Sequence, residues 1–177
     1  MNDIQGPLSI EQIVRRFVDR GIVAQSRDPE IVILMGPPAT GKTSIRRANY
    51  SQGYVIVDPP ELFLRFCGGT IMDFPGDYDE PLKIIGFLIA NTAILERRDM
   101  VTEIIGDSKE STFELIDAMT DAGYHVRLEH IHCDLQESWR RNVSRGVNNI
   151  SSYYAQPYNI RWLTLAAQNY KGIQENV

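Results

Sequence analysis

The sequence predicts an α/β protein in which helices cover a mostly parallel sheet of four to five strands, as a three-layer sandwich. Two observations lead to this fold class. Short apolar runs without polar alternation recur along the chain, and segments with helical periodicity separate them. The first such run also leads into a glycine-rich turn, "GPPATGKT", which ends where a helix-like segment begins. Strands that alternate with helices indicate right-handed crossovers between parallel strands.

Each element is predicted from its own local pattern. A first helix begins after Ser9, which forms a capping box with Gln12, and Gly21 ends it. Strands are predicted from the apolar runs at residues 30–35, 54–58, 100–105 and 124–133. Further helices are predicted at residues 42–50, 81–99, 110–122, 134–145 and 157–171.

The composition narrows the class of protein. The chain has 177 residues, a net charge of −5 and a pI of about 5.2, so general binding to nucleic acid or to a membrane surface is disfavoured. No apolar run approaches the roughly 18 residues of a transmembrane helix. The first residues lack the basic and apolar regions of a signal peptide. We therefore expect a cytoplasmic protein without membrane contact, in which Cys67 and Cys133 are reduced thiols.

The turn from Gly36 to Thr43 matches the phosphate-binding pattern GxxxxGK[ST] in full. Its glycines let backbone N–H groups point at phosphate oxygens, and the helix that follows presents its positive end to the same anion. The residues expected to bind ATP are Gly36, Ala39, Thr40, Gly41, Lys42, Thr43 and Ser44. The Lys42 ammonium would contact the β- and γ-phosphates, and the Thr43 hydroxyl would ligate Mg²⁺.

Several classes of protein share this loop, and two lack support here. A GTPase should carry an NKxD guanine-binding motif, which is absent, and a motor ATPase needs an apolar strand that ends in Asp-Glu. A small-molecule kinase needs an acceptor site, a carboxylate near the acceptor hydroxyl and a basic lid. We therefore expect a single P-loop kinase domain over residues 1–177, whose sub-regions are 1–28 (N-terminal helix and linker), 59–98 (acceptor site) and 139–157 (arginine lid).

Two carboxylates are predicted at the functional edge of the sheet. Asp58 ends the second strand, where ligands of open parallel sheets bind, and is a candidate to deprotonate an acceptor hydroxyl. Glu103 lies inside the third strand, where a carboxylate is costly unless it is paired or functional. Either one is a candidate to hold Mg²⁺ through water. The acidic loop "DFPGDYDE" offers Asp73, Asp77 and Asp79 as alternative bases, and Asp107 and Ser108 are candidates for substrate contact.

Basic and aromatic residues follow the fourth strand. Arg140, Arg141 and Arg145 are candidates to stabilise the charge of a transferring phosphoryl group, and Arg161 is a weaker one. Arg141 and Arg145 share a helical face because they are four residues apart. The tyrosines and the tryptophan between residues 153 and 162 suit either base stacking or helix packing. His130 and His132 lack a third ligand at zinc spacing, so we expect them to be packed in the core.

Two stretches carry a resemblance to a known family. They are "GPPATGKTSIRRANYSQGYVIVD" and "VTEIIGDSKESTFELIDAMTDAGYHVRLEHIHCDLQESWRRNVSRG", which together cover somewhat under half of the chain. In order and spacing they resemble the zeta-toxin-like P-loop kinases, within the wider group of P-loop nucleoside and small-molecule kinases. The resemblance implies a P-loop kinase-like fold, ATP and Mg²⁺ as cofactors, and an antitoxin-like protein as a candidate partner.

The resemblance also implies roles for single residues. Lys42 and Thr43 match the family's ATP-Mg²⁺ ligands, Glu103 matches its acceptor-site glutamate, and Arg145 and Arg140 match its phosphate-binding arginines. The family reaction is phosphorylation of a sugar hydroxyl on a UDP-amino sugar. Pro60 stands where the family carries the aspartate proposed as its base, and "IIGD" follows the glutamate in place of a Gly-Thr step, so the base and the acceptor are less defined than the kinase chemistry.

Three functions remain open from the sequence. The first is an ATP-dependent kinase that phosphorylates a hydroxyl of a nucleotide, a nucleotide sugar or a related small molecule. The second is a kinase whose acceptor is a nucleic acid, at a terminus or a modified base such as hydroxymethyl pyrimidine, which the acidic net charge disfavours. The third is a non-enzymatic nucleotide-binding module that acts by association.

Overall fold

The computed structural model describes residues 8–25, 27–58, 61–62, 79–144 and 160–174. Its four strands are β1 (Glu30–Met35), β2 (Val55–Val57), β3 (Met100–Ile104) and β4 (His125–His130). The helices are α1 (Ile10–Val18), α2 (Lys42–Asn49), α3 (Asp79–Leu95), α4 (Lys109–Asp121), α5 (Leu135–Val143) and α6 (Ile160–Gln174). Every element therefore overlaps a predicted one, and the differences lie at the ends.

The four described strands form one all-parallel sheet in the order β2-β3-β1-β4, which confirms the predicted fold class. The connection from β1 to β2, through α2, runs towards the β2 edge of the sheet. The connections from β2 to β3, through α3, and from β3 to β4, through α4, run towards the β4 edge. Because such crossovers are right-handed, α2 lies on the opposite face from α3 and α4. Helix α1 packs against α3 and β2.

The core lies on both sides of β1, whose five residues from Ile31 to Met35 are all buried. A strand between two others with helices on both faces has no exposed side, which explains its apolar run without alternation. Helix α1 buries Ile13, Val14, Phe17 and Val18 on one face, and the capping box of Ser9 and Gln12 is present as predicted. The sheet is therefore a rigid base that fixes the ends of its strands.

Two predicted boundaries were wrong for reasons that matter to the site. Strand β4 ends at His130 rather than at residue 133, because its partner β1 turns away at Gly36. The last backbone hydrogen bond between the two strands runs from the Ile131 N–H to the Met35 carbonyl, at 2.8 Å. Helix α3 ends at Leu95 rather than at residue 99, because Arg97 adopts a left-handed φ of 51°. The chain beyond His130 thus leaves the sheet beside the glycine-rich loop.

Candidate functional site

The glycine-rich loop leaves β1 at the carboxyl edge of the sheet, between the ends of β3 and β4. The Gly36 N–H donates to the Ile104 carbonyl at 3.2 Å. A Cβ at Gly36 would lie 2.1 Å from the Ile131 carbonyl oxygen, so only glycine fits this close approach. The Thr40 hydroxyl donates to the Pro37 carbonyl at 2.9 Å, inside the turn. Both neighbouring strands therefore hold the start of the loop in place.

The end of the loop passes directly into α2. Gly41 is the N-cap, with a left-handed φ of 103° that favours glycine, and no side-chain hydrogen bond caps the helix. Ala39 is also left-handed, with a φ of 61°. The first N–H groups of a helix lack intrahelical partners and carry a positive partial charge. This geometry suits an anion such as a polyphosphate, whereas the Ser44 side chain is exposed on the helix surface.

Lys42 lies against the same loop. Its ammonium donates to the carbonyl oxygens of Gly36 at 2.7 Å and Pro37 at 2.9 Å, and the residue is only 9% exposed. A buried ammonium is costly unless polar groups surround it. The side chain is therefore folded along the loop, with its charge held at the centre of the predicted phosphate site.

Glu103 joins β3 to α2 through both of its carboxylate oxygens. One oxygen accepts from the Thr43 hydroxyl at 2.9 Å, and the other accepts from Arg46 Nε at 2.6 Å. Its side chain is 9% exposed. Two of the three predicted candidates for the magnesium site, Thr43 and Glu103, thus lie in direct contact. A hydroxyl and a carboxylate are oxygen donors of the kind that Mg²⁺ prefers.

Asp58 follows β2 and completes the cluster. Its carboxylate accepts from Arg46 NH2 at 2.9 Å and is 5% exposed. Glu61 lies 3.7 Å from the same nitrogen. Burial, and secondly the charge of Glu103, raises the pKa of Asp58 from an ordinary value of 3.8 to about 7, although Arg46 acts in the opposite direction. Asp58 is therefore a buried carboxyl that exchanges a proton near neutral pH.

This raised pKa predicts how stability depends on pH. Between pH 4 and pH 7 the folded chain holds a proton on Asp58 that the unfolded chain releases, so the free energy of unfolding should fall as pH rises, by up to about 1.4 kcal/mol per pH unit. Asp58→Asn removes this dependence. Urea unfolding at pH 5 and pH 8 should show the variant gaining stability relative to the wild type at the higher pH. If the free energies of unfolding of Asp58→Asn and the wild type differ equally at pH 5 and pH 8, the raised pKa of Asp58 is contradicted. Asp117→Asn, on the exposed face of α4, is the control.

The described arginines of α5 bind a carboxylate of their own helix. Arg140 and Arg141 both donate to Glu137, at 2.7–2.8 Å and 2.7 Å. These bonds lower the pKa of the partly exposed Glu137 to about 2. The side chains of Arg140 and Arg141 are 71% and 49% exposed. Within the described parts of the chain, neither guanidinium contacts the glycine-rich loop or the carboxylates of Asp58 and Glu103. Arg145 lies outside the described residues.

Helix α5 nevertheless contacts the loop through another residue. Ser138 is fully buried, and its hydroxyl donates to the Pro38 carbonyl. Asp134 caps the helix by accepting from the N–H groups of Gln136 and Glu137. The helix that carries the arginines is thus attached to the phosphate loop at its first turns.

The two histidines do not share one environment. His130 is partly buried and stacks on Tyr170 of α6, with ring centroids 3.8 Å apart. Burial lowers the pKa of His130. His132 stacks on His130 at 5.2 Å but is exposed, so the prediction of two packed core histidines was wrong for His132, which lies beyond the end of β4. The described residues contain no group of three or more metal-binding His, Cys, Asp or Glu side chains.

Other predicted site residues have local roles or lie outside the described parts. Ser108 caps α4 by accepting from the Ser111 N–H at 3.1 Å, and Asp107 is exposed. Asn169 of α6 donates to the Asp107 carbonyl at 2.9 Å. Asp73, Asp77 and the 153–158 tyrosines lie outside the described residues; Asp79 begins α3, and the side chains of Asp79, Arg161 and Trp162 are among those not described.

Arg46 is the residue that sequence reasoning missed. It is 1% exposed and is the largest fully buried side chain in the described part of the chain. Although burial acts to lower the pKa of Arg46, Asp58 and Glu103 raise it above its ordinary value, so the side chain stays charged. The available signal was spacing: Arg46 lies four residues after Lys42 and three after Thr43, and so shares their helix face.

The loop, the parallel sheet and its strand order are consistent with a P-loop kinase-like fold, and the resemblance predicted from the sequence is confirmed for the fold. A chain of the PezAT chromosomal toxin–antitoxin system of Streptococcus pneumoniae is 16% identical, with a TM-score of 0.62, over 94% of this protein and 70% of that chain. No family model and no curated protein matches the sequence.

Two further solved structures have the same fold. A chain of the Pnkp1/Rnl/Hen1 RNA repair complex is 14% identical over 81% of this protein, with a TM-score of 0.58. The AvrRxo1-ORF1:-ORF2 complex with ATP contains a chain that is 16% identical over 88% of this protein, with a TM-score of 0.56. The protein spans only 47% and 56% of these two chains. In its described parts, no helix has both the length and the apolar character to cross a membrane.

Proposed function

We propose that this protein is an ATP-dependent phosphotransferase that moves the γ-phosphate of ATP to a hydroxyl of a nucleotide, a nucleotide sugar or a related small molecule. One observation carries the proposal: the phosphate loop and a buried carboxylate cluster are joined by direct hydrogen bonds, from Thr43 to Glu103 and from Arg46 to both Glu103 and Asp58. A nucleotide-binding module needs the loop alone. A kinase needs the loop beside a carboxylate able to accept a proton.

The residues of the loop fit a magnesium-bound nucleoside triphosphate. The N-terminus of α2 and the Lys42 ammonium would hold the phosphates, and the Thr43 hydroxyl would ligate the cation, with Glu103 as its hydrogen-bond acceptor. ATP with Mg²⁺ would supply the transferable phosphoryl group and the charge that offsets its oxygens. Similarity in fold to a chain of a complex solved with ATP supports this cofactor.

Asp58 is the favoured base of the reaction. It accepts the proton of the acceptor hydroxyl at its carboxylate, and a pKa of about 7 gives it both an ionised fraction and basicity at neutral pH. Glu103 is the second candidate. It ranks below Asp58 because both of its carboxylate oxygens already accept hydrogen bonds, from Thr43 and Arg46. Asp73, Asp77 and Asp79 remain alternatives from the sequence.

The remaining assignments extend the same proposal over residues 1–177 as one kinase domain. Residues 1–28 provide an N-terminal helix and linker, 59–98 the acceptor site, and 139–157 an arginine lid. Arg140 and Arg145 would serve on the lid, and Arg140 would have to leave Glu137 to contact a phosphate. Similarity to a chain of a toxin–antitoxin system supports an antitoxin-like protein as a partner.

A second candidate function is phosphorylation of a hydroxyl on nucleic acid. The specific observation in its favour is the similarity in fold to a chain of an RNA repair complex. The net charge of −5 weighs against it, because a phosphate-rich polymer favours a basic surface.

Transfer of label from [γ-³²P]ATP to a panel of nucleosides, nucleotides, nucleotide sugars and oligonucleotides tests the proposal. We expect label on a small acceptor in the presence of Mg²⁺. Label on oligonucleotides alone would favour the second candidate. Binding of ATP without transfer to any acceptor would contradict both, and would favour a nucleotide-binding module.

Replacement of the proposed base gives a sharper test with the acceptor that the panel identifies. Asp58→Asn should lower kcat by about 10²- to 10⁴-fold, because the amide cannot accept the proton. The wild-type rate should rise with pH and level off above a midpoint near 7, set by the raised pKa of Asp58. Steady-state rates from pH 5.5 to 9 measure both effects, with Asp117→Asn as the matched control. A variant that keeps more than a tenth of the wild-type kcat would assign the base elsewhere.

A further inference from the structure

Arg46 contacts three carboxylates of the candidate site. Its Nε donates to Glu103 at 2.6 Å, its NH2 donates to Asp58 at 2.9 Å, and the same NH2 lies 3.7 Å from Glu61. These three carboxylates come from β3, from the end of β2 and from the segment after it. One planar guanidinium on α2 therefore ties together elements that are far apart in sequence.

The charges explain why such a group is needed. Three carboxylates that are 5%, 9% and 13% exposed lie within 4 Å of the buried Arg46 guanidinium, and the last of them, Glu61, also lies 3.9 Å from the exposed Arg47. Without that cation, like charges in a poorly solvated site would repel one another and move apart. Stability alone is a weak reason for the arrangement, because buried ion pairs are often no more stabilising than apolar side chains of similar volume.

The pairing is also specific in geometry. Arg46 takes one oxygen of Glu103 and leaves the other to the Thr43 hydroxyl at 2.9 Å. Its second nitrogen is directed to Asp58. A guanidinium presents donors in fixed directions, so it sets the orientation of both carboxylates at once. A single point charge would not do this.

We infer that Arg46 is a positioning residue, which holds Glu103 towards Thr43 and Asp58 towards the acceptor by binding both carboxylates. This inference rests on the proposed phosphotransferase function for its kinetic consequence. Its structural consequence, the orientation of Glu103 beside Thr43, is independent of transfer.

Arg46→Lys keeps the positive charge but loses the fork of donors. We expect kcat to fall at least tenfold, while ATP affinity measured in EDTA changes less than twofold and the melting temperature stays within a few degrees. Arg47→Lys is the matched control, because Arg47 is the next residue of α2 and its side chain is 63% exposed. Its kcat should equal that of the wild type. A wild-type kcat in Arg46→Lys would overturn the inference.

A double-mutant cycle with Asp58→Asn separates positioning from general packing. Asp58→Asn is introduced into both the wild type and Arg46→Lys, and the fold-loss of kcat is compared. If Arg46 acts through Asp58, the fold-loss in Arg46→Lys should be at most one fifth of that in the wild type. Equal factors in both backgrounds would overturn the inference. Should Arg46→Lys fail to fold, Arg46→Met combined with Asp58→Asn replaces it, because this pair removes one charge of each sign from the cluster. Mg²⁺ should then tighten ATP binding at least threefold less in this pair than in Asp58→Asn, because Glu103 is no longer held towards Thr43, and an equal effect of Mg²⁺ in both would overturn the inference.

The magnesium dependence of ATP binding distinguishes this inference from the function on which it rests. Calorimetric titration with ATP, in Mg²⁺ and in EDTA, gives the factor by which the cation tightens binding. Arg46→Lys should reduce that factor at least threefold, because Glu103 is no longer held towards Thr43, and an unchanged factor would overturn the inference. A wild-type protein that binds ATP without transferring phosphate would contradict the proposed function, and the titration would still decide the role of Arg46.

Discussion

Lys42→Ala is expected to lower the rate of phosphate transfer by about 10²- to 10³-fold, the cost of removing one preorganised charge from a transition state. The ATP dissociation constant should rise about tenfold to a hundredfold, because a charge-assisted hydrogen bond is lost. The ammonium lies within 2.9 Å of two loop carbonyls, in the turn that would surround the phosphates. Transfer kinetics and calorimetric titration with ATP measure the two effects.

Arg47→Ala is the control for this substitution, because it removes an exposed cation from the same helix. Circular dichroism of both variants should match the wild type. A Lys42→Ala variant that keeps ATP affinity and a tenth or more of the transfer rate would show that the loop does not hold the transferred phosphate.

Gly36→Ala is expected to disturb both the fold and the nucleotide site. The new Cβ would lie 2.1 Å from the Ile131 carbonyl oxygen and 3.3 Å from the Thr40 hydroxyl. Backbone must move to relieve such an overlap, at a cost of about 1–3 kcal/mol in the free energy of unfolding. Because the loop itself has to shift, ATP affinity should fall with stability. Urea unfolding and ATP titration of the same preparation measure both.

Gly86→Ala gives the matched control in a helix. Among the described residues, its added Cβ would approach only Leu62 Cδ1, at an ordinary 3.5 Å. Alanine favours a helix over glycine by up to about 1 kcal/mol, so this variant should gain stability and keep its ATP affinity. A Gly36→Ala variant as stable as the wild type would show that the loop and the end of β4 are not in close contact.

Much of the fold was predictable because buried strands carry a strong local signal. The run from Ile31 to Met35 is apolar at every position. The turn after it matches the phosphate-binding pattern GxxxxGK[ST] in full, which predicts a strand before the turn and a helix after it. Glu103 was also predictable, since a carboxylate within an apolar strand calls for a partner. The strand and the pairing of Glu103 were each predicted from residues close by in the sequence, and the structure agrees with both.

The ion network was not predictable from local pattern. An arginine in a helix usually indicates a solvated face, and in "SIRR" only the spacing of Arg46 from Lys42 and Thr43 separates it from Arg47. In the structure, Arg46 is 1% exposed and Arg47 has a 63% exposed side chain. Only the direction in which α2 faces the sheet separates the two residues, and that direction is set by tertiary contacts.

The same limit applies to the chain after β4. Alternation predicted that His130 and His132 would lie on one face of a strand, but the pairing partner of β4 ends at Met35. Where a strand ends depends on its neighbour, and here that neighbour turns away at a glycine. The contact between Ser138 and Pro38, 100 residues apart, likewise has no signal in the sequence.

Helix α2 has a consequence for how this protein can evolve. The buried residues of this helix are Lys42 and Arg46, with Ile45 partly buried, so charged hydrogen bonds rather than apolar area hold it on the sheet. Most substitutions that weaken the candidate site therefore also loosen the helix. An apolar residue at Arg46 is the exception, because it would preserve folding while ending the proposed reaction. Descendants that lose activity should retain the sheet and first show the loss in this helix.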